Sequence, residues 1–145
     1  DARSSYYRTL AMASIFTRII RGEIPCYKVA ENDRAIAFLD IRPLTVGHTL
    51  VVPKTEVDSV FDLDDQDYAA VFDLVRNVAE AQKSEIPCNR VGLSVLGFEV
   101  PHAHVHVVPL RSEADLNFAN PKLQLDAEEM QAIADRLHLA LERLV

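Results

Sequence analysis

The stretch Pro101-His102-Ala103-His104-Val105-His106-Val107-Val108-Pro109 places three of the chain's five histidines in a five-residue window between two prolines. Successive side chains of an extended strand point to opposite faces. The alternation therefore predicts a strand over 102–108, with His102, His104 and His106 on one face and Ala103, Val105 and Val107 packed into a core on the other. One face is for packing and the other for chemistry.

Working outward, Val91 to Val95 reads as a second strand just before the histidines, and residues 111–122 lack any period and read as a loop. Tyr27 to Glu31, Ala35 to Leu39 and Thr49 to Val52 are β-favouring runs separated by Asn32-Asp33 and then by Pro43 and Gly47, the pattern of an antiparallel meander. Three helices are predicted. A short one over 14–21 carries Ile15, Phe16, Ile19 and Ile20 and stops at Gly22 and Pro25. A long one over 64–83 is capped by Asp64, with Tyr68, Val71, Phe72, Val75 and Val78 as its apolar stripe and Pro87 preventing it from running on. The last, from Asp126 to the C-terminus, repeats Met130, Ile133, Leu137, Leu141 and Leu144 at spacings of three and four, and leaves His138 beside the stripe at the surface. The tetrapeptide Glu-Ile-Pro-Cys occurs at 23–26 and again at 85–88, each time just before a β-favouring run. The fold class expected is α+β: an antiparallel sheet with two main helices and a short N-terminal one.

Composition narrows the function classes. The chain has 145 residues with 15 basic and 22 acidic side chains, a net charge of −7, so it lacks the basic surface that nucleic acid or an anionic membrane demands. No apolar run approaches the ~18 residues of a membrane span. A soluble chain with neither nucleic-acid nor membrane partners is expected. Cys26 and Cys88 form no paired motif, which fits a reducing, cytoplasmic setting. Residues 1–11 precede a Met12-Ala13-Ser14 that looks like a natural start, and read as an expression remnant or a weak Arg/Ser-containing leader. The fold reading rests on 12–145 as one domain.

A row of imidazoles on one face permits three readings. Alternating histidines can present nitrogens to one zinc, with Cys26, Cys88 and His48 as the only further ligand candidates. One neutral imidazole can act as a nucleophile, with its neighbours orienting it and binding an anion; attack on phosphorus suits this, because several N–H groups can stabilise charge developing on oxygen. The histidines can also simply fill a half-exposed face.

The pattern His102-Ala103-His104-Val105-His106-Val107-Val108 resembles the signature of the histidine triad (HIT) superfamily of nucleotide hydrolases and transferases. The resemblance extends in order through Ile15-Phe16-Thr17-Arg18-Ile19-Ile20, Gly22-Glu23-Ile24-Pro25, Ala37-Phe38-Leu39-Asp40-Ile41 and Gly47-His48-Thr49-Leu50-Val51-Val52-Pro53-Lys54, roughly residues 14 to 110. It implies a HIT-like fold over 12–145, a homodimer whose two sheets join, and no cofactor. It also implies that His104 attacks the α-phosphorus of a purine nucleoside 5′-monophosphate derivative to form a nucleotidyl-histidine that water then hydrolyses. His106 would contact the phosphate, and His102 would join the network around the leaving group. Asp40 would hold the ribose hydroxyls, while Ile15, Phe16, Ile19, Phe38 and Ile41 would line the base pocket.

The sequence departs from the family pattern at three places. Where relatives carry Gly-Gln before the triad, it has Gly97-Phe98-Glu99, and Phe98 cannot donate a hydrogen bond. Over Val91-Gly92-Leu93-Ser94-Val95-Leu96 the only polar side chain is Ser94, where relatives offer a phosphate-contacting asparagine, so backbone N–H groups around Gly97 and Glu99 are the replacement donors expected. Ser14 and Thr17 occupy positions that are zinc-binding cysteines in some bacterial members, so no structural metal is expected.

Overall fold

A computed structural model describes residues 13–144; the segment 1–11 and Met12 lie outside the described residues. Helix α1 (Ile15–Ile20) begins where Ser14 Oγ accepts the Thr17 N–H at 3.0 Å. Three strands follow as a meander: β1 (Lys28–Glu31), β2 (Ala35–Leu39) and β3 (Thr49–Pro53). Asn32 closes the first hairpin by accepting the Arg34 and Ala35 N–H groups on its side-chain oxygen. The chain then crosses through α2 (Asp65–Glu85) to β4 (Arg90–Ser94) and β5 (Val105–Leu110), and ends in α3 (Ala127–Glu142). The five-stranded sheet has the order β1-β2-β3-β5-β4, with every neighbouring pair antiparallel.

Both faces of the central strands are covered, so β2, β3 and β5 are buried along their whole length. On one face Ala37, Val51, Val105 and Val107 meet Val71, Leu74, Val75 and Val78 of α2 and Met130, Ala134 and Leu137 of α3. On the other, Ile36, Phe38, Leu50 and Val52 meet Phe16 of α1. Asp64 and Asp126 cap the long helices by accepting N–H groups of Asp67 and Glu129. Both Glu-Ile-Pro-Cys segments lead into strands, and the second turns the chain directly out of α2.

Two stripes differ from expectation. Tyr68 is 41% exposed and Leu74 takes its place in the core, because Tyr68 sits in the first turn of α2, where it stacks on Phe72 (4.8 Å between centroids). Leu144 follows the end of α3 and is half exposed. The histidine segment also differs: the strand begins only at Val105, so His102 and His104 precede it. The β3–β5 register runs to Val51↔Val105. Two residues further, the register would set Ala103 against Pro53, which has no N–H to give and whose carbonyl is taken by the His102 ring at 2.8 Å. The Ala103 N–H bonds Val57 O instead, at 2.7 Å. Side-chain alternation survives: Ala103, Val105 and Val107 all lie in the helix-side core. Pro109 falls inside β5 rather than beyond it, past the stretch paired with β3.

Candidate active site

His102, His104 and His106 are all buried, at 0%, 7% and 8% exposure. Aromatic rings hold them. The Phe16 ring meets His104 edge-on at 5.0 Å and His102 at 5.7 Å, and Phe118 meets His106 at 4.8 Å. Buried imidazoles must be hydrogen-bonded, and the partners' own chemistry fixes which nitrogen carries a proton.

Around His104 the deduction is short. Its Nδ1 lies 2.8 Å from the His102 carbonyl oxygen, which can only accept, so Nδ1 carries the proton. In the neutral ring Nε2 keeps an unshared lone pair. The His102 ring is fixed in turn: Nε2 donates to Pro53 O, and Nδ1 accepts from the Ser14 hydroxyl at 2.6 Å. Behind Ser14, Glu56 Oε1 accepts both the Ser14 N–H and the Thr17 hydroxyl, each at 2.7 Å. Burial pushes His102 below its ordinary value, against the opposing pull of Pro53 O and Glu56; the two donors hold the Glu56 carboxyl down.

A second relay sets His106. The Leu44 N–H donates to His48 Nδ1 at 3.0 Å, so the neutral His48 ring carries its proton on Nε2. That proton is shared with His106 Nδ1, 2.9 Å away. His106 is then left with a proton on Nε2. Burial first, and then neighbouring positive charge, pushes His48 down to about 3 and His106 to about 4, so both rings are neutral at pH 7. The result is a lone pair on His104 Nε2 beside an N–H donor on His106, a pair that can attack an electrophile and bind its oxygen.

His104 and His106 line a cleft of about 540 Å³. Ile15, Phe16, Ile19, Phe38, Asp40, Ile41, Gly97 and Glu99 line it as well, while His102 sits behind the wall. Burial raises the Asp40 carboxyl above the usual range, partly offset by the Arg42 N–H donating to Oδ1 at 2.8 Å. The Asp40 N–H bonds His48 O, which ties the acid to the histidine relay. Phe98 points outward, 93% exposed at the cleft mouth. Sequence reasoning missed Phe118, Lys122 and Glu56. The first two stand in the aperiodic loop, and their approach to the cleft has no sequence signal. Glu56 was findable as the first acid after the Pro53-Lys54 end of β3.

Among the described residues, Asp40, His48 and His106 bring ligand-type atoms within 4.8 Å of one another. The 2.9 Å between the two imidazoles is a hydrogen-bond distance. Two nitrogens on one zinc stand about 3.3 Å apart in tetrahedral geometry, so the pair as built shares a proton. Ser14 and Thr17 hold His102 and Glu56 through hydroxyl groups.

An antiparallel α+β sheet carrying a row of buried, backbone-anchored histidines over an apolar cleft defines the class of protein. The family model described as the HIT domain matches residues 21–113, and the chain belongs to that family. It is 34% identical over 130 residues to adenosine 5′-monophosphoramidase hnt1 of Schizosaccharomyces pombe, covering 87% of this chain and 96% of that one. A crystal structure of a Hit-like protein from Bartonella henselae superposes with a TM-score of 0.76 at 29% identity, covering 88% of this chain and 95% of that one. A zinc-bound histidine triad family protein from Mycobacterium smegmatis superposes at 0.75 with 27% identity, covering 92% and 96%.

Proposed function

We propose that this protein hydrolyses purine nucleoside 5′-monophosphate derivatives, phosphoramidates among them, through a covalent nucleotidyl-histidine on His104. The observation that carries the reading is the His104 Nδ1 bond to the His102 carbonyl, which frees Nε2 in an apolar cleft. His104 Nε2 attacks phosphorus, the P–N or P–O bond to the leaving group breaks, and the leaving group departs with the bonding electron pair and a proton drawn from solvent, which the second step returns. Water then attacks the phosphorus, releasing the nucleoside monophosphate and restoring the imidazole. The His106 Nε2–H meets a phosphate oxygen, and Asp40 takes the ribose hydroxyls. Ile15, Phe16, Ile19, Phe38 and Ile41 receive the base. With Phe98 turned to solvent, backbone N–H groups around Gly97 and Glu99 supply the remaining phosphate contacts. The kinship with the fission yeast phosphoramidase supports the substrate class.

The same reading has the protein act as a homodimer joined along β4. That strand is a sheet edge, and Leu93 within it and Leu96 and Phe98 just after it are exposed. A monomer by sedimentation equilibrium would end the dimer reading. The free thiols Cys26 and Cys88 support a reducing, cytoplasmic setting, and no described helix is long and apolar enough to cross a membrane.

AMP release from adenosine 5′-phosphoramidate tests the function, run on the wild type and His104→Ala with chelator present. Turnover lost in the variant and kept under chelation is expected. AMP binding without turnover in either protein would sink the hydrolase and leave a nucleotide-binding module.

A further inference from the structure

Gln82 is the one fully buried carboxamide among the described residues, on the α2 face that packs against the sheet. Its Nε2 donates to Gly47 O and Val107 O, each at 2.9 Å, with Thr49 Oγ1 at 3.4 Å. Two carbonyl acceptors fix the orientation of the amide, because only the nitrogen end can serve both. The oxygen end is left without a partner among the described residues. A buried polar group left half satisfied is disfavoured as a stabilising device and calls for an explanation.

The place of those two carbonyls supplies one. The β3–β5 ladder ends at Thr49↔Val107, and Gln82 adds a bridge where the strands part. Gly47 immediately precedes His48, and Val107 immediately follows His106. Gly47 is held at φ 87°, in the left-handed region, and Thr49 Oγ1 donates to the same Gly47 carbonyl at 2.8 Å. The backbone on both sides of His48 is thereby pinned from the helix side. The rings of His48 and His106 project from the opposite face of the sheet and meet there at 2.9 Å. The spacing that Gln82 sets on one face is the spacing that the imidazole pair needs on the other.

We propose that Gln82 is a positioning residue which, by bridging Gly47 O and Val107 O, holds the His48–His106 hydrogen bond and thereby presents a single His106 tautomer, with the proton on Nε2, to the substrate. The catalytic role of His106 rests on the hydrolase reading above; the tautomer itself does not. Without the bridge the two strands are free to separate at their ends, and His106 Nδ1 loses its obligatory donor. Its proton then distributes over both nitrogens. Half of the molecules, to first order, would present a lone pair where the phosphate oxygen needs an N–H.

The test is Gln82→Met, which keeps the length and removes both donors, measured by nitrogen-15 NMR of the histidine rings at pH 7 and by steady-state kinetics with adenosine 5′-phosphoramidate. In the wild type, His106 should show a protonated Nε2 and a bare Nδ1. In the variant the two signals should converge toward averaged values, with kcat lowered roughly twofold, in line with the fraction of molecules in the wrong tautomer, and KM little changed. A folded variant with wild-type His106 signals would overturn the proposal, whatever its activity. Should Gln82→Met fail to fold, Gln82→Glu takes its place, since a protonated buried carboxyl offers one donor where the amide has two. Loss of the single tautomer as that carboxyl ionises supports the bridge, and an unchanged tautomer across that titration refutes it. If the wild type shows the single tautomer but no turnover, the hydrolase reading fails and the assignment of Gln82 to the histidine pair stands.

Discussion

The two faces of the sheet are built on different principles. Toward α2 and α3 the core is almost wholly aliphatic, and its residues are interchangeable in kind: Val51, Val105, Val107, Val78, Leu137. Toward α1 the cover is a six-residue helix, the neighbouring loops and Phe118, and the buried groups are histidines joined in relays to backbone carbonyls and N–H groups. Apolar burial is non-directional, so the first face specifies shape and stability. Hydrogen bonds are directional, so the second specifies which atom carries a proton. The difference teaches that here one face supplies rigidity and the other spends it on chemistry.

Perturbing each face in turn sharpens the contrast. The largest effect belongs to His104→Ala, expected to lower phosphoramidate turnover about 10³-fold or more, with unfolding midpoint and circular dichroism little changed. A variant that unfolds would merge the two faces into one. Leu137→Ala, at a fully buried site on the helix face, should behave oppositely. A loss of about 3 kcal/mol in chemical denaturation is expected, with turnover per folded molecule unaltered.

Acid should strike the histidine face selectively. His48 and His106 have folded values of about 3 and about 4, below the ~6.5 of an unfolded chain. As pH falls the unfolded state takes up protons first, so the contribution of the pair is fully present above ~6.5 and is lost progressively as pH falls through the folded values of about 4 and about 3. At its steepest the slope from two groups is roughly 2.7 kcal/mol per pH unit. Denaturation curves at pH 7 and pH 5 measure it, and identical stabilities would mean that these rings are charged in the native state.

The smallest effect is expected at the junction of α1 with the triad. Glu56→Gln weakens the hold on Ser14 and Thr17, and through α1 the placement of Phe16 and Ile19 in the cleft. Because Glu56 is partly exposed, the change should be about 1 kcal/mol, read as a three- to tenfold rise in KM with kcat nearly constant. A fall in kcat alone would place Glu56 with the phosphate chemistry instead.

Much of this was legible without coordinates. The meander, the three helices and the aspartate caps of the two long ones follow from periodicity and turn chemistry, since they depend on neighbours within a few residues. The alternation His102-Ala103-His104-Val105-His106 gave the facing of each side chain even where no ladder forms. Tyr68 was misjudged because a stripe at the first turn of a helix can overhang the core it points toward.

The chain by itself therefore determined the fold class, the sidedness of the histidines and the family they resemble, because spacing along the backbone dictates each. Only the tertiary structure decided the protonation pattern. The Leu44 N–H, the Pro53 carbonyl, Ser14 and Gln82 reach the histidines from sequence distances of 4, 49, 88 and, through Val107, 25 residues. A proton's position on an imidazole is set by whatever donor or acceptor folding brings within about 3 Å, and no local pattern encodes that meeting.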